Sequence, residues 1–334
     1  MPRLFPLLSF LLLSFFSNAQ VLQPLPNGPA ASFRGLSVVS DNVAWASGSK
    51  GTVGRTTDGG KTWTWTTVAG HEKNDFRAIE AFDENSALIV AVASPGYILK
   101  TRDGGKSWKE VFVDTTRDVF MDAMSFALEG NGVVVGDPLD GKVYAYQTEN
   151  YGDSWVKVSD DMRPDLKTGE AFFASSNGNL QLGVLDYRLV SGGMHARFFR
   201  SDFSSTLPLV QGKQSTGANA LAAFGDTNGE ERIFVVGGDF SADTVIVGNS
   251  AYSLDHGVTW LIPQEPPHGY RSSVVFLDAK RMVACGTSGV DVSEDGGVRW
   301  KLISKDSYHV VRKANDGKAV YLAGGGGRLA KLAW

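Results

Sequence analysis

Thr56-Thr-Asp58-Gly-Gly60-Lys-Thr62-Trp63 returns, with small variations, four more times along the chain. The copies are Thr101-Arg-Asp103-Gly-Gly105-Lys-Ser107-Trp108, Thr148-Glu-Asn150-Tyr-Gly152-Asp-Ser154-Trp155, Ser253-Leu-Asp255-His-Gly257-Val-Thr259-Trp260 and Ser293-Glu-Asp295-Gly-Gly297-Val-Arg299-Trp300. Each reads as a hairpin turn in which the acid accepts bonds from turn N–H groups and glycine supplies a positive φ. The tryptophan packs back into the sheet. Asn150 replaces the acid in the third copy and Arg299 the hydroxyl in the fifth, so those turns should be weaker versions of the same device. The Asp or Asn positions lie 45, 47, 105 and 40 residues apart. A gap of 105 is two repeats wide, which implies a further repeat that has lost the motif. Arg200-Ser201-Asp202-Phe203 lies midway and is the expected site of that turn.

The text around each turn is regular too. In the second repeat it runs Phe76 to Phe82, Ser86 to Val92, Tyr97 to Lys100 and Trp108 to Val113, four β-rich runs separated by turn residues. Four short strands per unit of about 45 residues predict a propeller blade. First strands are expected to start at Phe33, Phe76, Met121, Gly169, Ala218, Tyr270 and Tyr308, giving an all-β, seven-bladed β-propeller. The last repeat stops after its third strand, and Val21 to Pro26 is the natural supplier of the fourth. Pairing of the two ends would close the ring and leave no open edge.

Residues 1–19 combine Arg3, an apolar run from Leu4 to Phe16 and the small residues Ser17-Asn18-Ala19, the pattern of a secretory signal peptide. The run is too short for a membrane span, and no cysteine follows it to carry a lipid. The expectation is a secreted or periplasmic monomer with one domain over residues 20–334. The single cysteine, Cys285, excludes an intramolecular disulfide and sits in an apolar run. The net charge of −4, or −5 without residues 1–19, is spread along the chain and argues against nucleic acid as a partner.

When the predicted first strands are laid in register, their second residues are Arg34, Arg77, Asp122, Glu170, Asn219, Arg271 and His309. All seven are polar. The innermost strands of a propeller surround its axis, so these side chains should form one layer at a channel mouth. One reading is that they pair off to satisfy a wet channel. The other is an anion site, with Arg34, Arg77, Asn219 and Arg271 binding the ligand. If the protein is an enzyme, Asp122, Glu170 and His309 are the candidates for acid and base. Asp137 and Asp140 read as turn residues, and His195, Arg197 and Asp239 are weaker candidates. The histidines lack metal-site spacing, and no dinucleotide fingerprint, redox cysteine pair or serine-nucleophile elbow is present. No metal or cofactor is expected.

The five turns match the motif called the Asp box, and the chain resembles the Asp-box (bacterial neuraminidase repeat) propellers. That group includes sialidases, sortilin-like receptors and the photosystem II stability and assembly factors. Phe33 to Ser40, Asp75-Phe-Arg77, Gly136-Asp-Pro-Leu-Asp-Gly141, Gly169-Glu-Ala-Phe172 and Gly269-Tyr-Arg-Ser-Ser273 carry a closer likeness to exported bacterial proteins of the assembly-factor type, often labelled oxidoreductase. Nothing in these residues supports a redox role. The Arg-Ile-Pro that precedes the first box of sialidases is absent. The resemblance implies a binding or scaffold protein whose partner is an anionic small molecule, an acidic glycan or a cell-envelope protein. The alternative is a carbohydrate-active enzyme acting on an acidic sugar.

Overall fold

A computed structural model describes residues 20–183, 186–225 and 231–334. The proposed leader, residues 1–19, lies outside them. Seven antiparallel sheets follow one another around an axis. The first three blades are regular meanders whose innermost strands are Phe33–Val38, Phe76–Ala81 and Met121–Phe126. Blade 4 comprises Leu180–Leu182, Tyr187–Val190, Arg197–Arg200 and Phe203–Thr206. Its outer hairpin turns at Ser201 and Asp202, where the lost motif was expected. Blade 5 is led by Thr216–Gly225, blade 6 by Ser273–Phe276 and blade 7 by Val310–Lys313. Val21–Pro24 pairs with Leu329–Ala333 and completes blade 7, so the first and last strands of the described residues lie in one sheet. Apart from two 3₁₀ turns, Leu128–Gly130 and Gly325–Gly327, the described residues form no helix, and none long and apolar enough to cross a membrane.

Alternation along the strands explains the core. Apolar side chains from both faces of each blade meet those of its neighbours in clusters between blades, such as Trp45, Phe76, Ile79 and Leu99 between blades 1 and 2. The repeated turns hold by shared bonds. Asp58 accepts from the Thr62 N–H at 2.9 Å and the Thr62 hydroxyl at 2.6 Å, while the Thr56 hydroxyl accepts from the Gly60 N–H at 3.0 Å. Asn150 keeps the third turn closed by donating its amide to the Ser154 hydroxyl at 2.9 Å. In the fifth, the Arg299 guanidinium approaches Asp295 at 3.5 Å in place of a hydroxyl.

One irregularity recurs and positions the site. In blades 1, 2, 3 and 5 the register of the innermost strand slips at Arg34, Arg77, Asp122 and Asn219, the extra residue of a β-bulge. Blade 2 pairs Ala91 with Phe76 at this point; in blades 1, 3 and 5 a Cβ on the facing glycine would run into the first strand's carbonyl: Gly48 against Ser32, Gly136 against Phe120, Gly237 against Gly217. Glycine there lets the strands close up around the bulge.

Candidate functional site

The same bulge geometry settles the blade 6 register. Gly286 faces the Tyr270 carbonyl as Gly48 faces that of Ser32, so Ser272 is the equivalent of Arg34. Arg271 stands one residue earlier and points the other way, into the blade. It is fully buried, and its guanidinium binds the buried Asp291 through Nε at 2.7 Å and through Nη2. Arg271 is therefore a structural member of blade 6, and the expected ring position belongs to Ser272.

Blade 4 departs further. Glu170 lies on a two-residue strand, Glu170–Ala171, which pairs with Gly192–Gly193 and so extends blade 5. The innermost strand of blade 4 begins ten residues later, at Leu180. Glu170 is buried and engaged by Arg197 at 2.7 Å, by the Ser191 hydroxyl and by the Lys167 N–H at 2.8 Å.

Between these strands, residues 173–179 cross the axis. Ser175 offers its carbonyl to Arg34 at 3.3 Å and its hydroxyl to Asn219 at 3.0 Å. The Ser176 hydroxyl reaches the Ser272 carbonyl, Arg312 grips the carbonyls of Ser176 and Asn177 at 2.7 and 2.8 Å, and Asn177 accepts from the Met124 N–H at 2.7 Å. These bonds tie the segment to the innermost strands of blades 1, 3, 5 and 7 and to Ser272 at the head of blade 6. The expected open channel is plugged, and its mouth is a cup of about 850 Å³.

Arg34, Arg77, Asn219, His309, Asp137, Tyr270 and Ser272 line the cup, together with Phe120, Phe173 and Phe240. Among the described residues Arg34 has no carboxylate partner; burial and the adjacent Arg77 hold its guanidinium below its ordinary value. Arg77 gives Nε to Asp75 at 2.7 Å. Burial, with Arg34, Arg77 and Arg328 nearby, pushes His309 down to about 3, so its imidazole is neutral. Asn219 Oδ1 accepts from the Tyr270 hydroxyl at 2.8 Å. Asp122 lies behind the wall, fully buried. Among the described residues neither of its oxygens meets a donor within hydrogen-bond distance, although the N–H groups of Ala174 and Asp137 approach it. Burial and Asp137 hold its carboxyl well above the usual range. Asp137 itself is raised by burial and accepts from the Phe172 N–H at 2.8 Å. Asp140 has the expected turn role, accepting from the Lys142 N–H at 3.1 Å, and also binds Arg163. Arg197 serves Glu170.

Three of the seven ring residues, Arg34, Arg77 and His309, thus present polar groups around one cup, and Asn219 backs its wall, fully buried with Oδ1 taken by the Tyr270 and Ser175 hydroxyls. Glu170 contributes to its edge with its carboxylate already bound, while Asp122 and Arg271 are sealed off. Tyr270, Ser175, Asp75 and Phe120 were not foreseen as site residues. Counting back from Gly286, which ends the second strand of blade 6 as Gly48 and Gly136 end those of blades 1 and 3, would have found Ser272. Among the described residues no group of three His, Cys, Asp or Glu side chains could hold a metal ion.

The fold and site define a seven-bladed propeller with a plugged axis and a polar cup. Residues 30–161, spanning blades 1 to 3, match the family model described as photosynthesis system II assembly factor YCF48. The solved structure "YCF48 bound to D1 peptide" is 18% identical, covers 96% of this chain and 98% of its own, and superposes with a TM-score of 0.65. YCF48 from Cyanidioschyzon merolae gives 18%, 94%, 98% and 0.64, and the WD40 propeller domain of Doa1 12%, 94%, 97% and 0.60. No curated protein sequence matches. At these identities the structural likeness is one of fold. With the family match, it bears out the resemblance to assembly-factor propellers.

Proposed function

We propose that this chain is an assembly-factor-like binding scaffold that holds an anionic group of a protein partner in the cup, in the periplasm or outside the cell. The observation that carries the reading is Arg34, a guanidinium that forms no ion pair with a carboxylate among the described residues, set beside Arg77 in a concave site. Two adjacent guanidiniums repel, and an anion bound across them relieves that repulsion while gaining charge-assisted bonds. A neutral His309 can donate or accept beside it. A protein partner is favoured by the likeness to a YCF48 whose structure holds a D1 peptide. The leader-like residues 1–19 support the location. For the alternative, a glycosidase, Glu170 would have to leave Arg197, and Asp122 would have to reach the cup.

Sulfate keeps one charge state across the working pH range and is a clean probe. Titration of residues 20–334 should show saturable binding, weakened about tenfold or more in Arg34→Gln, the loss expected for one charged hydrogen-bonding group. Equal binding by wild type and variant would overturn the site.

A further inference from the structure

The loops around the cup are unequal. In blades 1, 2, 6 and 7 the link between second and third strands is short and carries no large exposed apolar side chain: residues 49–51, 92–95, 287–288 and 324–328. In blades 3, 4 and 5 the same link is longer, residues 137–143, 191–196 and 240–249. Those three present Leu139, Met194, Phe240, Val245, Ile246 and Val247 to solvent, with Val247 77% exposed. Single exposed apolar residues are ordinary, but here they gather on three consecutive blades.

The apolar arc begins inside the cup. Phe240 packs edge-on against Phe173 at 5.8 Å and Tyr270 at 6.3 Å, and Tyr270 adjoins Arg34. Phe120 lies 6.0 Å from the Arg77 guanidinium. Aromatic surface therefore reaches both arginines, and from Phe240 the same loop runs on through Val245, Ile246 and Val247.

We propose that the loops of blades 3 to 5 form a docking ledge for an extended partner segment in which an acidic residue is followed by apolar side chains. The acid sits on Arg34 and Arg77, and the residues after it lie over Phe240 and the 245–247 loop. Charge complementarity fixes one end of the segment. The spread of apolar points over three blades calls for a chain rather than a small anion. This inference rests on the cup being an anion site.

Fluorescence anisotropy with three short peptides tests it, one with Asp followed by Phe-Leu, one with Asp followed by Ser-Ser, and one with Asn followed by Phe-Leu. The first should bind at least tenfold more tightly than the others, since burying even one large apolar side chain is worth that factor. Ile246→Ser/Val247→Ser, at exposed positions, should remove most of that advantage while leaving sulfate affinity unchanged. If sulfate binds but the apolar pair adds nothing, or the double variant keeps the full advantage, the ledge is refuted and the cup stands. If neither sulfate nor any Asp peptide binds, the cup fails and the ledge with it. Recruitment to phosphatidylcholine–phosphatidylglycerol vesicles without peptide binding would overturn the proposal in favour of a lipid surface.

Discussion

Replacing Asp291 by Asn isolates the role of Arg271, which points into blade 6 instead of into the cup. Asp291 and Arg271 are both fully buried. The carboxylate accepts from Arg271 Nε and Nη2, and from the His268 backbone N–H at 3.2 Å; its other oxygen lies 2.7 Å from His268 Nδ1. The amide keeps one acceptor oxygen but turns an NH₂ toward donors and leaves the guanidinium uncompensated. Breaking a buried pair in this way costs about 3–5 kcal/mol. At about 2 °C per kcal/mol for a chain of this size, the melting temperature should fall by about 6–10 °C. The assay is urea unfolding followed by tryptophan fluorescence, with the slope m compared between proteins. Arg271→Met/Asp291→Leu removes both charges and should return to within about 2 kcal/mol of wild type, because apolar replacement of a whole buried pair is often near neutral. Sulfate affinity should be unchanged in the folded double variant, since Arg271 lies outside the cup. An Asp291→Asn cost below about 1 kcal/mol, or a double variant as unstable as the single one, would refute the reasoning.

Two further expectations concern pH. Burial raises Glu80 from 4.5 to about 7, with Arg312 opposing, so the folded state keeps a proton that the unfolded chain has lost. Stability should fall as pH rises from about 4.5 to about 7, by on the order of 3 kcal/mol, and then level off; Glu80→Gln should flatten that part of the urea-midpoint profile, and an unchanged slope would place its origin elsewhere. At the acid end, hydroxyl and N–H donors in the repeated turns hold Asp58 down to about 2 and lower Asp103 as well. Their contribution is present above about pH 4 and lost as pH falls toward 2, so Asp58→Asn/Asp103→Asn should already be destabilised at neutral pH and should lose less on acidification, measured by circular dichroism.

The blades were legible because each repeated turn carries its own signal in adjacent residues, and a Gly next to an Asp and a Trp means the same thing wherever it stands. Chain closure by Val21–Pro24 followed from counting strands. Blade 4 was harder to read because residues 173–179 spend their hydrogen bonds on the axis, and their partners Arg34, Met124, Asn219, Ser272 and Arg312 come from five other blades. No local pattern encodes such contacts. The placement of Arg271 failed by one residue because Tyr270 looked like the aromatic that opens blades 1, 2 and 7, and a shift of one reverses the side chain's direction. The pairing of Glu170 with Arg197, 27 residues apart, is likewise invisible until the fold brings them together.

The pairing of Val21 with Ala333 sets an order of events during folding. Six blades can form from neighbouring hairpins, since their strands are close in sequence. The first strand cannot. It stays unpaired until Leu329–Ala333 is in place, so the seventh blade and with it the closed ring are the last contacts to form.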